Sequence, residues 1–191
     1  MPSMHLDEAR IGMQLARQAI ETAVTTGQRM KSPSGLPSVF EDRGGVFVCL
    51  HAGVLRGCVG HPYPNLKIKD ALIDSAISAA LYDYRFPPVT ANELTNLTIE
   101  ITLLTQPRRI GGVEDITIGK HGLIVKKGAL QGLLLPQVAT EYGWTPQEFL
   151  DQTYVKAGLR PGEEGVEISA FEGQVFSERR PGGDVVERPA E

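Results

Sequence analysis

Two hydrophobic periods alternate along this chain, one near 3.6 residues and one of 2, and the switches between them predict its elements. Over residues 7–26, Ile11, Leu15, Ala16, Ala19, Ile20 and Ala23 share one helical face, and Gly27 supplies a stop. After a Pro- and Ser-rich loop, Val46-Phe47-Val48-Cys49-Leu50 has the β-branched and aromatic character of a strand. A second strand spans residues 54–59. With Ala52-Gly53 as the turn, the two form an antiparallel hairpin in which His51 faces Val54, Cys49 faces Arg56 and Phe47 faces Cys58. One face then carries Val46, Val48, Leu50, Leu55, Gly57 and Val59 and meets the core. The other carries Phe47, Cys49, His51, Arg56 and Cys58.

Further along, Asn65 is positioned to cap a helix striped with Ile68, Ala71, Leu72, Ala76, Ala79 and Ala80, ending near Tyr82. Thr90 and Glu93 have capping-box spacing for a short helix. The alternation of Leu97, Ile99, Ile101 and Leu103 with Thr98, Glu100 and Thr102 predicts a half-buried strand that Pro107 ends. Short strands follow near 116–118, 123–127 and 132–135, punctuated by Gly119, Gly122 and Gly128. Pro136 opens a helix through Tyr142, and Thr145-Pro146-Gln147-Glu148 opens another that ends before Gly158. Two last strands, 166–171 and 174–177, precede a polar, Pro/Gly-rich stretch, 179–191, that reads as a mobile tail. The order of elements implies an α+β fold.

Composition narrows the classes. With 191 residues and 41% hydrophobic content the chain can bury a real core. A formal net charge of -4 gives no global basic field, which disfavours wholesale nucleic-acid binding. No apolar run approaches the roughly 20 residues that cross a bilayer, so no membrane partner is expected. Two cysteines are too few for a disulfide framework, and no basic-then-apolar leader precedes the first helix. A cytoplasmic location with both thiols free is the expectation.

Candidate chemistry gathers at Leu55-Arg56-Gly57-Cys58-Val59-Gly60. Arg56, on the same strand face as Cys58, would supply the positive potential that favours a thiolate, making Cys58 a nucleophile or proton donor. The bland reading is a small buried hydrophobe. Gly57 and Gly60 remove side chains on both sides of the thiol, so that a ligand or another backbone can approach closely. His61 would serve as a base if the chain turned back at Gly60, and His121, between Lys120 and Gly122, is the other candidate base. Each histidine has a structural reading beside the catalytic one.

Asp83 and Arg85 lie in a loop stiffened by Pro87 and Pro88, where they either orient a ligand or pair with each other. Cys49, His51, Cys58 and His61 make a two-Cys, two-His set, but without the spacing of a recognised zinc finger, so no metal is expected. Gly119-Lys120-His121-Gly122 lacks the GxxxxGK[ST] pattern, which excludes a phosphate loop. No motif names a cofactor.

The succession Leu55-Arg56-Gly57-Cys58-Val59-Gly60, Asp83-Tyr84-Arg85-Phe86-Pro87-Pro88-Val89, Gly119-Lys120-His121-Gly122-Leu123, Leu134-Leu135-Pro136-Gln137-Val138-Ala139 and Lys156-Ala157-Gly158-Leu159 resembles the AMMECR-one domain family. The match runs in order from the first helix to Phe176. That family's hexapeptide is usually written LRGCIG, and Val59 keeps the β-branched character at its fifth place. Cys49 stands where the family often has threonine.

The resemblance implies two unequal lobes, each an antiparallel sheet with flanking helices, with both termini in the larger one. Residues 1–106 and 161–191 are then expected to form the larger lobe and 107–160 the smaller, within one domain. It brings no established activity, although microbial members tend to accompany a Memo-type protein, similar to iron-dependent ring-opening dioxygenases, and a radical-SAM protein. Two functional readings follow. One is an enzyme-like protein binding a small organic or nucleotide-like ligand near the hexapeptide, with Arg56 orienting an anion. The other is a non-catalytic adaptor acting with those partners.

Overall fold

The computed structural model describes residues 3–188, and it forms two compact units. Unit 1 is built from residues up to Leu104 together with Gln174–Arg188, and unit 2 from Thr105–Gly173.

In unit 1, helix α1 (Leu6–Thr26) closes with Gly27 in the left-handed conformation, φ 69°. This is the backbone state that glycine adopts without steric cost. Strand β1 (Gly45–His51) pairs on one side with β2 (Leu55–His61) and on the other with β3 (Thr98–Leu104), all antiparallel. Helix α2 (Ile68–Leu81) starts after Lys67 rather than at Asn65, whose carbonyl instead accepts a hydrogen bond from Arg43. It packs against α1, β1 and β2, and is buried over most of its circumference. The core is made by Met13, Ala16 and Ile20 of α1, Leu72 and Ala76 of α2, Val46, Val48 and Leu50 of β1, and Ile99, Ile101 and Leu103 of β3.

In unit 2, β5 (His121–Lys127) pairs with β6 (Leu130–Leu134) and with β7 (Glu167–Glu178), and the short β4 (Arg108–Arg109) also pairs with β7. Helices α3 (Pro136–Tyr142) and α4 (Pro146–Lys156) flank this sheet. Its core centres on Leu123, Val125, Phe149, Leu150, Tyr154 and Ala170. The whole is α+β.

Three expectations need correction here. The two strands expected over 166–177 are one, Glu167–Glu178, because Glu172 and Gly173 stay extended and Glu172 remains paired with His121. The last residues of β7 pair with β8 (Val185–Arg188), so part of the expected tail is strand, with Val185 buried against the unit 1 core; residues 189–191 lie outside the described part. Finally, 116–118 contains no strand. Ile116 follows a short 3-10 turn, Val113–Asp115, and Thr117 accepts hydrogen bonds from the main-chain N–H groups of Lys120 and His121.

Candidate functional site

The hairpin register places the chemistry differently from its sequence expectation. Cys49 faces Cys58, with Phe47 opposite Gly60, Val48 opposite Val59 and Leu50 opposite Gly57. The connection between the strands is three residues, Ala52 to Val54, with Gly53 at φ 77°, and the pairing shifts once more between Leu50 and His51. Each of these features adds one residue relative to a two-residue turn. Together they move every pair beyond the bulge by two, which changes partners and preserves faces. So Gly57 and Val59 still meet the core, and Cys58 still stands on the opposite side.

The partner change alters the chemistry. Cys49 and Cys58 are joined as a disulfide with their Cα atoms 4.0 Å apart, so neither thiol is free. Cys49 is buried, whereas Cys58 is half-buried. Because β1 is also paired with β3, Glu100 lies directly across from Cys49 on its other side. Cys58, Cys49 and Glu100 thus form a row across three strands on one face of the sheet. His51 and Thr98 flank this row, and the Nε2 of His51 is shielded without a hydrogen-bond partner among the described residues.

Arg56 does not serve Cys58. Its guanidinium donates to Glu93 from Nε at 2.7 Å and to the carbonyl of Pro87 from Nη1 at 2.8 Å. Glu93 in turn accepts from the N–H and hydroxyl of Thr90, completing the capping box of the short 3-10 helix Ala91–Asn96. Arg56 and the Thr90 groups hold the Glu93 carboxyl at about 2, well below its ordinary value.

The main chain around Cys58 is fixed by the loop after α2. Asp83 accepts the Cys58 N–H at 2.9 Å, and Arg85 donates to the Cys58 carbonyl at 3.2 Å while closing on Asp83 at 2.7 Å. Asp83 and Arg85 are therefore an ion pair that grips the strand on both sides of one residue. The Arg85 guanidinium, reinforced by the N–H groups of Cys58 and Arg85, outweighs the opposing effect of burial and holds the Asp83 carboxyl at about 2. Arg85 also lies 5.4 Å over the ring of Phe86.

Gly57 and Gly60 are filled spaces rather than open ones. A Cβ at Gly57 would lie 2.1 Å from the Ala79 carbonyl oxygen of α2, and one at Gly60 would lie 2.4 Å from the Phe47 ring. The close approach expected at Gly57 is that of another backbone, not of a ligand.

The two histidines are elsewhere engaged. The strand does not turn back at Gly60 but continues to His61, three residues beyond Cys58 and hence on the opposite face. There its Nε2 lies 2.7 Å from Asp74 of α2, whose other oxygen accepts from Arg29. Burial raises the Asp74 pKa, but the bonds from Arg29 and His61 more than offset this and lower it. With His61 facing away, Cys49, His51, Cys58 and His61 do not converge.

His121 belongs to unit 2. It is buried, its Nδ1 accepts the Thr117 N–H at 3.1 Å, and its Nε2 is 3.7 Å from Glu172. The bond at Nδ1 assigns the proton of the neutral ring to Nε2. It stabilises a local turn.

Among the described residues no helix is long and apolar enough to cross a membrane. The chain is 50% identical over 192 residues to a protein of Methanosarcina acetivorans, covering 94% of this chain and 96% of that one. It is 41% identical over 191 residues to a protein of Pyrococcus furiosus, covering 93% and 91%. The crystal structure of the uncharacterized protein PH0010 from Pyrococcus horikoshii matches with a TM-score of 0.90 at 38% identity, covering 97% of this chain and 98% of that one. The AMMECR1 family model matches residues 13–176, a span holding the hairpin, the Asp83–Arg85 grip and the Gly119–Gly122 turn, and the chain belongs to the AMMECR1 family.

Proposed function

We propose that this chain is an enzyme-like protein that binds a small organic or nucleotide-like ligand beside the Leu55-to-Gly60 segment, with Cys58 as the reacting atom. The observation that carries the reading is the grip on residue 58. Asp83 and Arg85 hold the N–H and carbonyl of one residue, which is half-buried while its partner Cys49 is buried. Such a grip orders the sulfur before any ligand arrives, which lowers the cost of reaching a reactive geometry. Arg85 takes over the anion-orienting part from Arg56. Its side chain is 44% exposed and that of Arg56 only 14%, so Arg85 is the cation with room to meet a ligand. Cys58 acts as nucleophile once the disulfide is reduced.

The test is alkylation of the reduced protein by iodoacetamide, followed residue by residue by mass spectrometry. Cys58 is expected to react at least about ten-fold faster than Cys49, from their difference in exposure. Equal rates, or a Cys58 slower than Cys49, would remove the reading.

A second reading, an adaptor docking a Memo-type or radical-SAM protein, is favoured by Tyr82 and Tyr84, which flank Asp83 and are 73% and 95% exposed. Under it, replacing both tyrosines with alanine abolishes co-purification with such a protein and leaves Cys58 alkylation unchanged.

A further inference from the structure

We infer that Cys58 and Cys49 form a thiol–disulfide exchange couple whose substrate is the disulfide of a small or peptide thiol, with Glu100 receiving the proton of the resolving sulfur, Cys49. This rests on the reading of Cys58 as the reacting sulfur and adds the substrate class and the two groups that complete the reaction.

Three observations lead to it. First, the two residues are unequally covered: Cys58 is half-buried, whereas Cys49 is buried. An exchange couple needs this division between a sulfur that attacks and one that resolves. Second, β1 is hydrogen-bonded on both edges, to β2 and to β3, so the register that opposes the cysteines does not depend on the bond between them. Reduction leaves the two thiols facing each other, and Cys49 acts on Cys58 at a high effective concentration. Third, the register sets Glu100 directly across β3 from Cys49 on the same face. Facing residues in adjacent strands have Cβ atoms about 5 Å apart, within reach of a glutamate side chain.

The steps balance. The Cys58 thiolate attacks one sulfur of the substrate disulfide, the substrate S–S bond breaks, and the first thiolate leaves and takes a proton from water. A mixed disulfide now joins Cys58 to the second half of the substrate. Cys49 gives its proton to Glu100 and attacks the Cys58 sulfur. The mixed bond breaks, the second thiolate leaves and takes that proton, and the Cys49–Cys58 bond has formed. Two electrons pass from the protein dithiol to the substrate. In reverse, a pair of small thiols reduces the protein.

The experiment uses the reduced full-length chain and dithiobis(nitrobenzoate), reading thiolate release by absorbance and the product by intact mass. Wild type is expected to release thiolate in two successive steps and finish without label. Cys49→Ser stops after the first step and keeps a mixed disulfide on Cys58. Cys49→Thr, a good strand residue, repeats the measurement should the serine variant fold poorly. Glu100→Gln leaves the first step unchanged, slows the second at least about ten-fold, and gives that step the pH dependence of an unassisted thiol.

A stable label on Cys58 of the wild type, or two labels on one chain, overturns the couple while leaving Cys58 reactive. No release from Cys58 in either wild type or Cys49→Ser fells the underlying reading as well. A second step unaffected by Glu100→Gln, or slowed instead by His51→Gln on the same face, overturns the part given to Glu100.

Discussion

Strand β2 shows two characters on its two faces. Gly57, Val59 and His61 look toward α2, where the Ala79 backbone lies against Gly57 and Asp74 holds His61. Arg56, Cys58 and Gly60 look the other way, where the disulfide lies in a row with Glu100 and is flanked by His51. Each polar group on the α2 face has a partner and each glycine there has a neighbour. On the other face a disulfide and an imidazole nitrogen lack such closure. Residues one apart in sequence thus serve stability and chemistry separately, because a strand turns alternate side chains to opposite sides.

The sharpest way to break this comparison is Gly57→Ala. The new methyl meets a helix carbonyl rather than the end of a flexible side chain, so α2 and β2 must separate, and a loss of about 3 to 5 kcal/mol in urea unfolding is expected. A variant as stable as wild type would mean that the α2 face is not sealed.

Next in size, Asp83→Asn removes a buried charge that pairs with Arg85 and accepts the Cys58 N–H. A loss of about 2 to 3 kcal/mol is expected, since Asn keeps an acceptor but leaves Arg85 without its counter-charge.

Acid pH sharpens the same point. Asp83 and Glu93 have folded pKa values of about 2, below their ordinary 3.8 and 4.5. The stability they contribute is therefore complete above about pH 4.5 and is lost as pH falls through about 2. Unfolding measured between those limits is expected to show a shallower pH slope in Asp83→Asn than in wild type. Parallel slopes would show that Asp83 titrates normally.

The smallest effect is expected at His61, a partly exposed partner of a partly exposed aspartate. His61→Gln should cost under about 1 kcal/mol and leave Cys58 alkylation unchanged. A changed Cys58 rate would join the two faces functionally.

Much of the architecture was legible in the residues. The period of two in β1 and β3 and the 3.6 period of α1 assigned each side chain to a face, and those faces hold, because burial of one face is a local property of the pattern. The capping boxes at Thr90 and Thr145 were equally readable, since their partners lie three residues on. Asn65 as a cap and the break in β7 were misjudged because the α2 start and the β7 course depend on neighbouring strands and loops rather than on local propensity.

By itself, the sequence determined the α+β class, the family and the core face of β1, whereas Leu55, expected in the core, is exposed and pairs with His51. Only the tertiary structure decided the partners. A bulge at Leu50 and His51 and a three-residue connection slid the register by two, setting Cys58 against Cys49 rather than Phe47. The loop and the short 3-10 helix that follow α2 delivered Asp83 and Glu93 across 25 and 37 residues of chain to the Cys58 N–H and to Arg56. The alternation of side chains is fixed by backbone geometry within a strand, whereas pairing between strands is fixed by the sum of turn shape, bulge and packing. No short stretch of sequence contains that sum.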